Sequence, residues 1–117
     1  MINIEPQVIH DKILQVGQEW AEAKTQADIA EDAYKEELNE EIQKIRNVPG
    51  EKVSMAEAES RARITDHVKA ACLRKNTLRG EEMKLKVSYS AAQIWFEAMR
   101  TKAATLRQEM HMSGGHR

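Results

Sequence analysis

The chain has 117 residues, enough for one domain and short for two. Charged residues make up 32% of it and aromatic residues only 4%, so the composition favours helices and leaves few large side chains for a compact core. No stretch approaches the roughly 18 consecutive apolar residues of a membrane-spanning helix. The first residues lack the basic and apolar regions of a signal peptide. We therefore expect a single helical domain over residues 1–117, cytoplasmic and without a membrane role.

The net charge of −1 hides a segregation along the chain. Residues 1–46 carry 11 acidic and 5 basic side chains, a net charge of −6, whereas residues 47–117 carry 8 acidic and 13 basic ones, a net charge of +5. Two oppositely charged arms attract when they fold back on each other. This distribution favours an antiparallel pairing of the two halves.

The first predicted element is a helix over about residues 7–46. Its apolar and small residues recur at spacings of four and three, with one additional four-residue step after Tyr34, as in a coiled-coil seam with a stutter. A turn over residues 47–53 follows, because Pro49 and Gly50 interrupt the helix. The predicted seam residues are Ile9, Ile13, Val16, Trp20, Ala23, Ala27, Ala30, Tyr34, Leu38, Ile42 and Ile45.

A short helix over about 54–62 follows the turn, because Ser54 and Glu57 form the sequence signature of a capping box. The hydrophobic phase then shifts, which predicts a bend between Ala62 and Asp66. A long helix over about 64–111 comes next, and residues 113–117 are expected to be a disordered tail. Its predicted seam comprises Ile64, Val68, Ala71, Lys75, Leu78, Glu82, Leu85, Tyr89, Ala92, Phe96, Met99, Ala103, Leu106 and Met110.

The fold class predicted from these elements is all-α, a long antiparallel helical hairpin resembling a coiled coil, with a short connecting helix. Folding back at Pro49 and Gly50 pairs positions whose numbers sum to about 109. Trp20 then faces Tyr89, and Ile45 lies near Ile64. Six large residues should be buried together at the open end of the hairpin, namely Ile13, Val16, Trp20, Leu85, Tyr89 and Phe96.

The sequence contains no recognisable catalytic constellation. The four histidines, His10, His67, His111 and His116, are far apart in sequence or terminal, and no Glu-x-x-His pair is present. Cys72 is interpreted as a small half-buried side chain, the alternative being a reactive thiol near Arg74 and Lys75. We therefore expect a protein that is not an enzyme, with no metal, no cofactor and no small-molecule substrate.

Basic residues concentrate between Arg61 and Lys86, which makes this segment a candidate nucleic-acid-binding stripe. The alternative is that the same side chains pair with the acidic first helix, and the absence of interleaved aromatic residues favours that alternative. The candidate residues are Arg61, Arg63, Lys69, Arg74, Lys75, Arg79, Lys84 and Lys86.

A second candidate surface lies around Trp95. Ile94, Trp95 and Phe96 spread apolar surface more widely than one helix–helix contact can cover, and Met99 extends it. These four residues are a candidate interface for oligomer formation or for another protein. A homo-oligomeric helical bundle is the expected arrangement, with a peripheral core position as the alternative for Trp95.

Three stretches resemble small helical-hairpin accessory proteins of tailed bacteriophages, often encoded near recombination genes. They are Ser54–Ala62 after the glycine-containing turn, and Ile94–Thr101 followed by Leu106–Met110. The resemblance implies an accessory role in phage DNA recombination or replication, through self-association and binding to a recombination protein or to single-stranded DNA. It implies no catalytic residue. The alternative function is an adaptor or inhibitor that binds a host protein through the acidic first helix.

Overall fold

The structure is a computed structural model that describes residues 6–114. These residues form three α-helices and no β-strand: α1 is Pro6–Arg46 (41 residues), α2 is Met55–Arg63 (9 residues) and α3 is Asp66–Gly114 (49 residues). The two long helices pack against each other, and α2 connects them. The predicted fold class, an all-α helical hairpin with a short connecting helix, is therefore confirmed.

The chain divides into two compact units. The terminal unit comprises Met1–Trp20 and Leu85–Arg117, and the central unit comprises Ala21–Lys84. In the central unit Asp28 contacts Arg79 and Glu41 contacts His67, so α1 and α3 run antiparallel there. In the terminal unit Trp20 stacks on Tyr89. Tyr89 is the residue that the predicted pairing placed opposite Trp20.

The turn between α1 and α2 has the residues that its geometry needs. Gly50 has φ of +85°, in the left-handed region that only glycine adopts without strain. Ser54 caps α2, since its Oγ accepts a 3.1 Å hydrogen bond from the Glu57 N–H. The Glu57 carboxylate does not complete the reciprocal capping box, because it binds Arg61 at 2.7 Å instead.

The predicted bend after Ala62 is confirmed as a break between two helices. Only Ile64 and Thr65 separate α2 from α3, and the Thr65 N–H donates to the Ala62 carbonyl at 3.1 Å. The expected start of the second seam at Ile64 is wrong, because this side chain is 68% exposed. The break turns Ile64 outward, so Val68 is the first buried residue of the α3 seam, at 1% exposure.

The α1 seam has the burial that its spacing predicts. Each of its eleven residues, from Ile9 to Ile45, is buried or half-buried. In the central unit, the buried residues Ile42, Ala58 and Ala62 form a core cluster. Leu38, Ile45 and Val53 pack around that cluster and complete its apolar environment.

The α3 seam is covered over only part of its length. Its residues from Val68 to Phe96 are buried or half-buried, whereas every residue from Glu97 to Met112 is exposed. By the pairing sum, the position facing Leu106 is residue 3, which lies outside the described residues. Two residues expected in the tail, Ser113 and Gly114, belong to α3, and residues 115–117 also lie outside the described part.

The six residues expected to be buried together in the terminal unit are half-buried instead. Ile13, Val16, Trp20, Leu85, Tyr89 and Phe96 lie on the facing sides of α1 and α3, but none is fully covered. Two helices shield one stripe from two directions only, so the edges of large side chains stay in contact with water.

Ala62 provides a test of packing in the central unit, because it has no exposed surface and lies against Ile42. We expect Ala62→Leu to lower the free energy of unfolding by about 2 kcal/mol, since the added carbons have no space. Urea unfolding followed by circular dichroism measures the change. Ala56→Leu, at an exposed position of α2, is the control, and equal effects of both substitutions would contradict the packing.

Candidate interaction surfaces

In the terminal unit, aromatic stacking and close backbone approach join α1 to α3. The rings of Trp20 and Tyr89 lie 5.4 Å apart between centroids, tilted by 30°. A Cβ atom at Gly17 would lie 3.1 Å from Cε2 of Tyr89, so the glycine makes room for the ring. The Trp20 indole N–H is buried and has no hydrogen-bond partner among the described residues.

The four residues predicted as an interface are covered to different degrees. Phe96 is half-buried on the side of α3 that faces α1, near Ile13. Met99, 38% exposed, lines a groove with Ile9. Ile94 lies about 200° around the helix from Phe96 and is 71% exposed, although it also borders the groove of Ile13 and Phe96. Trp95 is 44% exposed.

The open side of α3 in the terminal unit includes residues that the sequence reasoning missed. Val87 is 66% exposed, and Ala91 and Ala98 are exposed as well. Val87, Ala91, Ile94 and Ala98 follow a spacing of four, three and four residues, which places them on one stripe of the helix. The signal was present in the sequence, since residues 87–96 contain no charged side chain.

In the central unit, half of the predicted basic stripe has partners within the protein. Arg61 bridges to Glu57 at 2.7 Å and to Glu51 at 3.9 Å, and Arg63 binds Glu59 at 2.6 Å. The Lys75 ammonium lies 4.4 Å from the centroid of the Tyr34 ring, a cation–π contact.

Arg63 also ties α2 to α1, because its Nη1 donates a 3.0 Å hydrogen bond to the Tyr34 hydroxyl. The hydrogen bond to Glu59 raises the pKa of Arg63 above its ordinary value. The positive charge of Arg63 is therefore paired with the Glu59 carboxylate of the same chain. Both contacts occupy guanidinium N–H groups that could otherwise bind an external phosphate.

Arg79 is the most extensively paired of the basic residues. Its Nη2 lies 2.9 Å from an Asp28 oxygen and 3.2 Å from a Glu31 oxygen, and its Nη1 lies 3.3 Å from Oε1 of Glu82. The hydrogen bond to Asp28 raises the pKa of Arg79, and partial desolvation opposes that effect. Glu82 is only 7% exposed, and its Oε2 has no hydrogen-bond partner within residues 6–114.

Three basic residues of the predicted stripe in the central unit have neither an ion pair nor a cation–π contact in the described part of the chain. They are Lys69, Arg74 and Lys84, all exposed. Lys86, in the terminal unit, is likewise exposed and without an ion pair there. The structure thus divides the predicted stripe, because Arg61, Arg63, Lys75 and Arg79 serve internal contacts and the other four do not.

Two further polar contacts involve His67 and Cys72. His67 Nε2 lies 3.2 Å from a Glu41 oxygen and 3.5 Å from a Glu37 oxygen. Cys72 is half-buried, and its Sγ accepts from the Asn76 amide at 3.7 Å. Within residues 6–114, no group of three or more His, Cys, Asp or Glu side chains is placed to hold a metal ion. No helix in that range has an apolar stretch long enough to cross a membrane.

Comparison with protein-family models, with curated proteins and with solved structures finds no match to this chain. The resemblance to phage accessory proteins therefore stays a prediction from Ser54–Ala62 and the stretches near Trp95.

Arg79 offers a test of the central polar network. We expect Arg79→Met to lower the urea midpoint of unfolding, because it leaves Glu82 buried without a cation. Lys69→Met, an equal change at an exposed position of α3, should have little effect. The double variant Arg79→Met, Glu82→Leu should regain much of the lost stability. Equal midpoints for the Arg79 and Lys69 variants would contradict the network.

Proposed function

We propose that this chain is a non-enzymatic accessory protein of bacteriophage DNA recombination or replication. It acts by self-association and by binding single-stranded DNA or a recombination protein. The observation that carries the proposal is the open apolar stripe of the terminal unit, formed by Val87, Ala91, Ile94 and Ala98. Exposed apolar side chains at helical spacing favour a protein contact over catalysis.

The nucleic-acid part of the proposal rests on three unpaired cations of α3 in the central unit. Lys69, Arg74 and Lys84 are exposed and lie on one helix, where phosphate groups have access to them. Three cations in one protomer give weak binding. Self-association multiplies their number, so a bound strand is held at several points at once.

Labelled single-stranded oligonucleotide, titrated with the protein and followed by fluorescence anisotropy, tests this binding. We expect the triple variant Lys69→Gln, Arg74→Gln, Lys84→Gln to bind at least about tenfold more weakly at low salt. The slope of log affinity against log salt should fall by about 2, as for three lost contacts with single-stranded DNA.

The matched control is the triple variant Lys12→Gln, Lys24→Gln, Lys35→Gln, which makes the same charge change at exposed positions of α1. Its affinity should stay close to that of the unaltered chain. Equal losses in the two triple variants would show that net charge alone governs binding. No binding by the unaltered chain would remove the DNA part of the proposal.

A second candidate function has its own observation, a row of carboxylates on α1. Asp32, Glu36 and Glu40 are exposed, spaced by four residues, and have no ion pair in the described part of the chain. Such a row resembles the spaced charges of a nucleic-acid backbone and suits an adaptor or inhibitor of a host DNA-binding protein.

The second candidate is tested with the variant Asp32→Asn, Glu36→Gln, Glu40→Gln in affinity capture from a host lysate. Retention of one DNA-binding protein by the unaltered chain, and its loss with this variant, would support the inhibitor. Equal retention of that protein by the unaltered chain and by the variant would contradict it.

A further inference from the structure

The outward side of α3 in the terminal unit is a second stripe opposite the seam. Val87 lies two residues from both Leu85 and Tyr89, which is about 200° around an α-helix. The seam residues Leu85, Tyr89 and Phe96 are half-buried against α1, whereas Val87 and Ile94 are 66% and 71% exposed. This segment of α3 is therefore apolar on two opposite sides, and only one of them is covered by the described residues.

The absence of charge in this segment distinguishes it from an ordinary solvated helix face. Residues 87–96 carry no charged side chain, in a protein of which 32% is charged. Ser88, Ser90 and Ala91 are small and exposed, so a second backbone can approach closely at the middle of the stripe. Exposed apolar side chains on such an uncharged face are typical of a surface that contacts another protein.

We infer that this stripe binds the same stripe of a second copy, with the two α3 helices antiparallel about a twofold axis at Ala91. The inference rests on the self-association in the proposed function and names its surface and partner. Val87 and Ile94 lie four and three residues on either side of Ala91. A twofold axis there places Val87 of one copy beside Ile94 of the other.

Charge complementarity selects a second copy as the occupant. Lys86 and Glu97 flank the uncharged segment and are both exposed, and Glu97 also lies 3.5 Å from Arg100 on its own helix. They are eleven residues apart, about 20° around the helix, so they lie on the same side of the stripe. An antiparallel twofold brings the two equivalent sides together. Lys86 of each copy then meets Glu97 of the other, and the pair forms twice.

The size of the contact limits its strength. Only about three turns of one helix from each copy meet, less than the roughly 800 Å² per partner of a standard interface. The dimer is therefore expected at micromolar concentrations and dissociates on dilution. Sedimentation equilibrium between about 5 and 200 µM should follow the transition from the 13.4 kDa chain to a dimer.

Charge variants test the pairing without disturbing either unit. We expect Lys86→Glu to raise the dimer dissociation constant about tenfold, because it opposes Glu97 of the other copy with a like charge. The double variant Lys86→Glu, Glu97→Lys exchanges the two charges and should restore the dissociation constant of the unaltered chain. Lys12→Glu, an exposed position of α1, is the control and should leave the constant unchanged. Failure of the exchange to restore association would overturn the antiparallel pairing.

Cysteine substitutions in a Cys72→Ala background test the orientation. Ala91→Cys should form a disulfide-linked dimer under mild oxidation, because residue 91 meets its own equivalent at the axis. Val87→Cys and Ile94→Cys should link only when mixed with each other. Linking of either one alone would indicate a parallel pairing and overturn the inference. Ala56→Cys, exposed in the central unit, controls for random collision.

A chain that stays monomeric up to 200 µM would overturn the inference and assign the stripe to a different protein. That outcome would also remove self-association from the proposed function, whereas an unchanged dimer of the Lys86→Glu variant would overturn only the pairing at this stripe. Association is measured without DNA, whereas DNA binding depends on Lys69, Arg74 and Lys84, none of which lies in the stripe.

Discussion

The approach of α1 to α3 depends on small side chains at the positions where the helices meet. Ala27 and Ala30 are 0% and 4% exposed in the central unit, and Gly17 lies under the Tyr89 ring in the terminal unit. Small residues let two backbones come close, but they remove little apolar area from water. Polar contacts in the central unit therefore also help to hold α1 against α3. Elsewhere on α3, large apolar residues remain exposed.

The sequence predicted the elements well because their signals are local and repeated. The α1 seam, the cap at Ser54 and the break after Ala62 each follow from spacing or from one residue type with one structural role. The pairing of Trp20 with Tyr89 followed from a simple count around the turn. Ile64 was misplaced because the break changes the direction of the helix, and residue spacing cannot show that change of direction.

The candidate surfaces were harder to predict, because side chains close in sequence point to different neighbours. Phe96 belongs to the seam and Ile94 to the open stripe, although the two are separated by one residue. Arg79 and Lys84 read alike in the sequence, yet Arg79 meets Asp28 and Glu31 from α1 whereas Lys84 meets no carboxylate in the described region. Such distinctions depend on which α1 residue stands opposite, and that is a tertiary property.

The paired carboxylates around Arg79 also fix how the two long helices are aligned along their length. A displacement of α1 by one heptad would bring Lys35 to the place of Asp28 in one direction, and Lys24 to the place of Glu31 in the other. Arg79 would then face a like charge where one of its α1 carboxylates now stands. Alanine-rich seams are otherwise tolerant of sliding, since one small residue fits much like another. This polar layer therefore acts as a register lock that discriminates against shifted pairings.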